Sequence, residues 1–211
     1  MNSLKLNFIP IFVIFLYSSQ TYSQDSTSSI INSSKYKISA NVSFERSGTE
    51  SYEAPRDFQI VNNFGIAISK KISKRFWIEF NPQLIKHKTK IFLDLYGDYL
   101  EYSFISDNIR IPINLEMYLK SFYFKVGPFC DFLIDIRSDS NTNFNAYNVN
   151  DFTYGIAAAT GMENRIYKNL YLFVEVRYNQ VLNTSIYPKN NKSYEGRFVN
   201  YGFNIGLCIY L

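Results

Sequence analysis

One histidine, His87, and two cysteines, Cys130 and Cys208, are all that the chain holds of the side chains that most often bind transition metals. They are far apart in sequence, without the close Cys/His spacing of a zinc site. His87 stands between Lys86 and Lys88 with no serine beside it, so the sequence gives no support for a serine nucleophile activated by histidine. A glycine-rich phosphate loop is missing, and so is a basic patch interleaved with aromatics of the nucleic-acid kind. These absences predict a protein that is not an enzyme, with no catalytic, cofactor-binding or metal-binding residue assigned, no cofactor and no nucleic-acid partner. The cysteines fall in alternating stretches on opposite faces, so no disulfide between them is expected. Calcium or carbohydrate binding by the Asn/Asp-rich stretches 139–151 and 183–194 stays open, although solvated loops have that composition anyway.

Long hydrophobic runs are also scarce. Residues 6–17 (LNFIPIFVIFLY) form one, well short of the roughly 20 apolar residues that a spanning helix needs. Lys5 precedes it and Thr21-Tyr22-Ser23 follows, with small residues at the two positions read by signal peptidase. Residues 1–23 are therefore expected to be a Sec signal peptide, 24–34 a flexible leader rich in Ser, Asn and Asp, and 35–211 one folded domain. Mean hydropathy is slightly negative at −0.15. Such a value hides membrane strands, because their apolar residues alternate with polar ones.

Aromatics are abundant: 19 Phe and 18 Tyr, the residues that form interfacial girdles. Residues 199–211 (VNYGFNIGLCIYL) show the underlying pattern. The odd positions, Val199 through Leu211, are all apolar or aromatic, while the even positions are mostly Asn, Gly and Cys. A period of two marks a strand. A bulky apolar face backed by Gly and Asn suits lipid outside and a crowded polar interior, the pattern of a transmembrane β-barrel strand.

The same alternation recurs along the chain. Tyr36, Ile38, Ala40, Val42 and Phe44 form one outward row and residues 58–69 a second, broken by Asn62. Phe76, Ile78 and Phe80 begin a third, which crosses Pro82, where a bulge or bend is expected, and runs on toward Leu95. Residues 109–119, 122–132, 154–163 and 170–178 follow, with Met162 on the outward row, and 199–211 closes the series. The connections alternate in length: long at 46–57, 137–151 and 182–197, short at 70–74, 120–121 and 165–169, and medium near Gly97. Together these predict an all-β, eight-stranded antiparallel up-and-down transmembrane barrel, with its long loops outside and both ends of the domain on the periplasmic side. A lipocalin-like soluble barrel has the same topology but places its apolar face inside, opposite to the rows seen here.

The inward phase collects Glu79, Arg110, Glu116, Lys125, Asp131, Glu163, Glu175 and Arg177. In a lumen just wide enough for side chains, such charges should pair and plug the interior. A proton or ion path through them is the alternative, and a wide pore does not fit the geometry. Lys70, Lys71, Lys74, Arg75, Lys120, Arg165 and Lys168 sit in the short turns without an acid among them. They can meet anionic headgroups or a periplasmic partner, or simply solvate the turns.

Residues 109–118 (IRIPINLEMY), 122–129 (FYFKVGPF), 151–163 (DFTYGIAAATGME) and 170–178 (LYLFVEVRY), with the closing strand, resemble the porin-family outer-membrane β-barrel domain common in Bacteroidota, a group that includes PorT-type proteins. The resemblance covers essentially all of 24–211 and carries no active-site motif. It implies an integral outer-membrane location, contact with outer-membrane lipids and protein partners in an envelope complex. For PorT-type members it implies a place in the type IX secretion and gliding apparatus. The function expected is a non-enzymatic scaffold or accessory subunit acting through loops and turns. The runner-up is a narrow porin-like conduit.

Overall fold

The computed structural model describes residues 33–50, 58–95, 98–138, 147–188 and 196–211. The expected signal peptide and nearly all of the leader lie outside this set, as do parts of the three long connections and the turn at 96–97. Among the described residues there are eleven strands: β1 (Tyr36–Glu50), β2 (Gln59–Lys71), β3 (Phe76–Phe80), β4 (Gln83–Leu95), β5 (Asp98–Leu119), β6 (Phe122–Ser138), β7 (Tyr147–Val149), β8 (Phe152–Tyr167), β9 (Leu170–Val181), β10 (Ile186–Pro188) and β11 (Arg197–Tyr210). Nine of them form one antiparallel sheet, in which β3 and β4 share a single place, giving eight staves. β1 pairs with both β2 and β11, so the sheet closes on itself. β7 and β10 form a separate two-stranded sheet.

The inversion expected from the alternation is present on every stave. Ile66, Ile68, Leu115, Val126, Phe203 and Ile205 are among the exposed apolar side chains, whereas polar and charged groups dominate the buried set. Lipid replaces water at the outer face, so the apolar row has no protein core to join. The glycines of the inner face permit close approach of the staves. A Cβ on Gly127 would lie 1.9 Å from the carbonyl oxygen of Ile113, a backbone atom that cannot move aside.

Several boundaries differ from expectation. β1 continues through Glu50, although a loop was expected from residue 46, because Arg46, Ser47, Gly48 and Thr49 keep the alternation with polar residues. β5 begins at Asp98 rather than near Ile109 and forms a long hairpin with β4, out to Leu95↔Asp98. Pro82 divides the third stave. With no N–H to give, it ends β3, and the partner of β2 passes from β3 to β4 at Gly65↔Gln83. Met162 and Val199 hold their outward phase but are only 4% and 6% exposed, so they do not face lipid as expected. Register sets Met162 between Phe122 and Val174, and Val199 between Gly48 and Gln180.

The two ends of the barrel differ as the loop lengths predict. β5–β6 and β8–β9 are joined by two-residue turns, with Lys120 at φ 62° and Lys168 at φ 42°. Lys35 N donates to Leu211 O, and Tyr210 N to Asn169 O, so both ends of the folded domain lie beside these turns. At the other end, Ile186↔Val149 brings two of the long connections together.

Candidate functional site

The interior is filled in three tiers, and each is built by inward residues from staves far apart in sequence. Nearest the tight turns, Trp77, Tyr118, Tyr123, Tyr171, Phe173, Cys208 and Tyr210 form a buried cluster. Trp77 meets Tyr210 edge-on at 5.6 Å, and Tyr171 meets Tyr210 at 4.9 Å. Aromatic pairs prefer such tilted contacts because ring edges are electropositive and faces electronegative.

Above this lies the ionic tier. Lys37 Nζ donates to Glu116 Oε2 at 2.9 Å and to the Tyr118 hydroxyl at 2.7 Å, with Glu163 Oε1 at 3.3 Å. Tyr210 donates to Glu163. Lys125 Nζ lies 2.8 Å from Glu79, 2.9 Å from Glu116 and 3.3 Å from Glu175. Glu175 also accepts from Tyr123, Asn204 and Arg177, and Arg177 reaches on to Gln83 at 2.8 Å. Every ion here has opposite charge and further hydrogen bonds around it, the condition under which buried charge is tolerated.

Toward the loop end, Arg110 holds Asp131 through two parallel hydrogen bonds of 2.8 Å. His87 Nε2 lies 3.5 Å from the same carboxylate, and His87 Nδ1 lies 3.2 Å from Asn200 and 3.4 Å from Ser47. The His87 ring stacks on Phe198 at 4.1 Å. Phe198 belongs to an apolar cap with Phe104, Phe129, Ala157, Val181 and Ile186. A void of about 10 Å³ separates the two charged groups, lined by Gln83, Arg110, Asn114, Lys125, Arg177 and Asn179 among others. That is room for about one water molecule.

All eight charged residues expected inside are there and buried. Lys37 and Glu45 join them. Both stand on the inward phase of the first strand. No acid partner for His87 is assignable from the sequence, and the fold supplies Asp131. Ser47, His87 and Asp131 thus come together, but in an arrangement unlike a hydrolytic triad. The serine faces Nδ1 and the acid Nε2, Asp131 is already bound to Arg110, and Ser47 is fully buried. Cys130 and Cys208 are both free, with Cys208 buried. The turn cations Lys70, Lys74, Arg75, Lys120, Arg165 and Lys168 are exposed together at the tight-turn end.

A closed ring of eight staves with lipid-type residues outside and ionic residues inside is the geometry of an outer-membrane barrel. The sequence profile of the outer membrane protein beta-barrel domain matches residues 13–187. The chain belongs to that family. Among solved structures it is similar to the outer membrane protein OprG from Pseudomonas aeruginosa, with a TM-score of 0.51, 9% identity and coverage of 86% of this chain and 98% of that one. It is also similar to the outer membrane protein AlkL in DMPC lipid bilayers, with a TM-score of 0.51, 14% identity and coverage of 85% and 91%. At such identity these likenesses speak for the fold alone. No curated protein matches the chain in sequence.

Proposed function

We propose that this outer-membrane barrel is a non-conducting, non-enzymatic scaffold or accessory subunit that acts through its outer loops and basic periplasmic turns. The filled lumen carries this reading: the aromatic, ionic and apolar tiers leave between the charged groups a void for about one water molecule. A conduit would have to break several buried ion pairs to open, each costing about 3–5 kcal/mol. The inverted, inaccessible Ser47–His87–Asp131 arrangement supports the non-enzymatic part. Export rests on the expected signal peptide at 1–23. The exposed cations at the tight-turn end suit anionic headgroups or an acidic periplasmic partner. The PorT-like resemblance makes a secretion or gliding assembly the first complex to look for.

The test is purification of the tagged protein from its native outer membrane in mild detergent, followed by particle sizing and identification of bound proteins. A reproducible large assembly is expected. A lone barrel that passes steady current in a planar bilayer would replace this reading with the narrow conduit.

A further inference from the structure

Among the described residues, the wall of the barrel parts between β2 and β4. β2 stays paired to β1 as far as Ser47↔Gln59, but its ladder to β4 ends at Phe64↔Leu84. β4 meanwhile keeps its pairing with β5 out to Leu95 and leans toward β1, where Lys88 N donates to Ser47 Oγ at 3.3 Å. Beyond Leu84 the two edges are bridged by a side chain instead of a ladder, with Lys86 N donating to Asn63 Oδ1 at 2.8 Å. The break at Pro82 and the register shift at Asp107/Asn108 flank this site.

The parting opens sideways as a groove of about 620 Å³. This volume is within the roughly 300–1,000 Å³ typical of small-ligand sites. Val42, Phe64, Leu84 and Ile134 give it an apolar wall, its inner side carries Asn63, and its rim carries Lys86 together with Asp107 and Asp135. Asn63 is only 4% exposed, and its Nδ2 donor has no partner among the described residues. A buried amide donor without an acceptor is costly. The groove also sits where the outward phase changes character. Phe64, Leu84 and Ile109 lie on one side, and Asn62, Lys86 and Asp107 on the side nearer the loops. That is the level at which the apolar band of the outer leaflet gives way to headgroups.

We propose that this groove binds one lipid of the outer leaflet, its acyl chain lying against Val42, Phe64, Leu84 and Ile134 and its carbonyl oxygen accepting from Asn63 Nδ2. At the rim Lys86 stands opposite Asp107, and because Arg137 binds both Asp107 and Asp135, the Lys86 ammonium is left to meet a lipid phosphate. A peptide adding to the β4 edge is the less suitable occupant, because the groove faces the apolar band and Asn63 already takes the Lys86 N–H.

The test uses the folded, delipidated full barrel, titrated with lysophosphatidylglycerol and read by native mass spectrometry. This probe has one acyl chain, one ester carbonyl and an anionic head. A one-to-one adduct is expected. Asn63→Leu should weaken it roughly three- to tenfold, the range for one lost hydrogen bond. Val42→Trp and Ile134→Trp, which fill the groove from its β1 and β6 sides, should abolish it. Ile66→Trp, on the exposed apolar face outside the groove, should bind as the wild type does. Each variant is first checked for folding by the mobility difference between unboiled and boiled samples on a denaturing gel. No adduct with the wild type, equal loss in Ile66→Trp, or a co-purified peptide seated at this edge would overturn the proposal.

Discussion

Glu116 and Lys125 face each other in register across β5 and β6, and Lys125 Nζ closes to 2.9 Å from the Glu116 carboxylate. The same ammonium holds Glu79 and Glu175, so one cation joins its own stave to three others. Lys125→Met keeps the length of the side chain and removes the charge, leaving three buried carboxylates short of a partner. Stability should fall by about 3–5 kcal/mol, the cost of breaking a buried pair from one side. A urea midpoint unchanged from wild type, measured on the refolded barrel in detergent, would contradict the network.

Gly127 tolerates no side chain, since its Cβ would sit 1.9 Å from the Ile113 carbonyl oxygen. Gly127→Ala should force β5 and β6 apart and lower stability by about 1–3 kcal/mol, as overpacking does. The same denaturation experiment reads it, and the folded band on an unboiled gel should weaken.

Lys120 occupies a left-handed backbone conformation in a two-residue turn. A non-glycine residue there costs about 1–2 kcal/mol, partly offset by glycine's larger entropy when unfolded. Lys120→Gly should therefore raise stability by about 0.5–1 kcal/mol, and Lys120→Val should lower it.

His87→Ala and Ser47→Ala should leave the lipid A profile of the native cells unchanged in mass spectrometry. Loss or gain of an acyl chain in either variant would point to catalysis at Ser47, His87 and Asp131, against the inverted geometry of that group.

Phe198→Ala removes the ring stacked on His87 together with part of the apolar cap. A large-to-small change of this kind costs about 3–5 kcal/mol. The ionic tier remains beneath it, so planar bilayers containing the variant should stay electrically tight. Steady current through Phe198→Ala would mean that the cap, not the charges, seals the lumen.

The barrel was legible because lipid on one side and a narrow lumen on the other impose a strict period of two, and no other environment needs bulky apolar residues opposite Gly and Asn. The inward charges were legible for the same reason. Their pairing was not: His87 and Asp131 meet because the cylinder curves them together, and no local pattern records that curvature. The outer ends were harder to read. Arg46 to Thr49 alternate in polar residues, so the extension of β1 is invisible to an apolar period. Ile186 and Phe104 enter the cap from stretches that lack a clear apolar period of two.

Because β1 is paired on one side by β2 and on the other by β11, the cylinder has no closed form until β11 has docked on β1. The pairing of Lys37 with Tyr210 joins distant parts of the chain, and contacts of that span form slowly. Until then Lys37 lacks a sealed lumen around it, and the unpaired edges of β1 and β11 are open to wrong neighbours. The period before closure is therefore when the chain depends most on protection of these two edges.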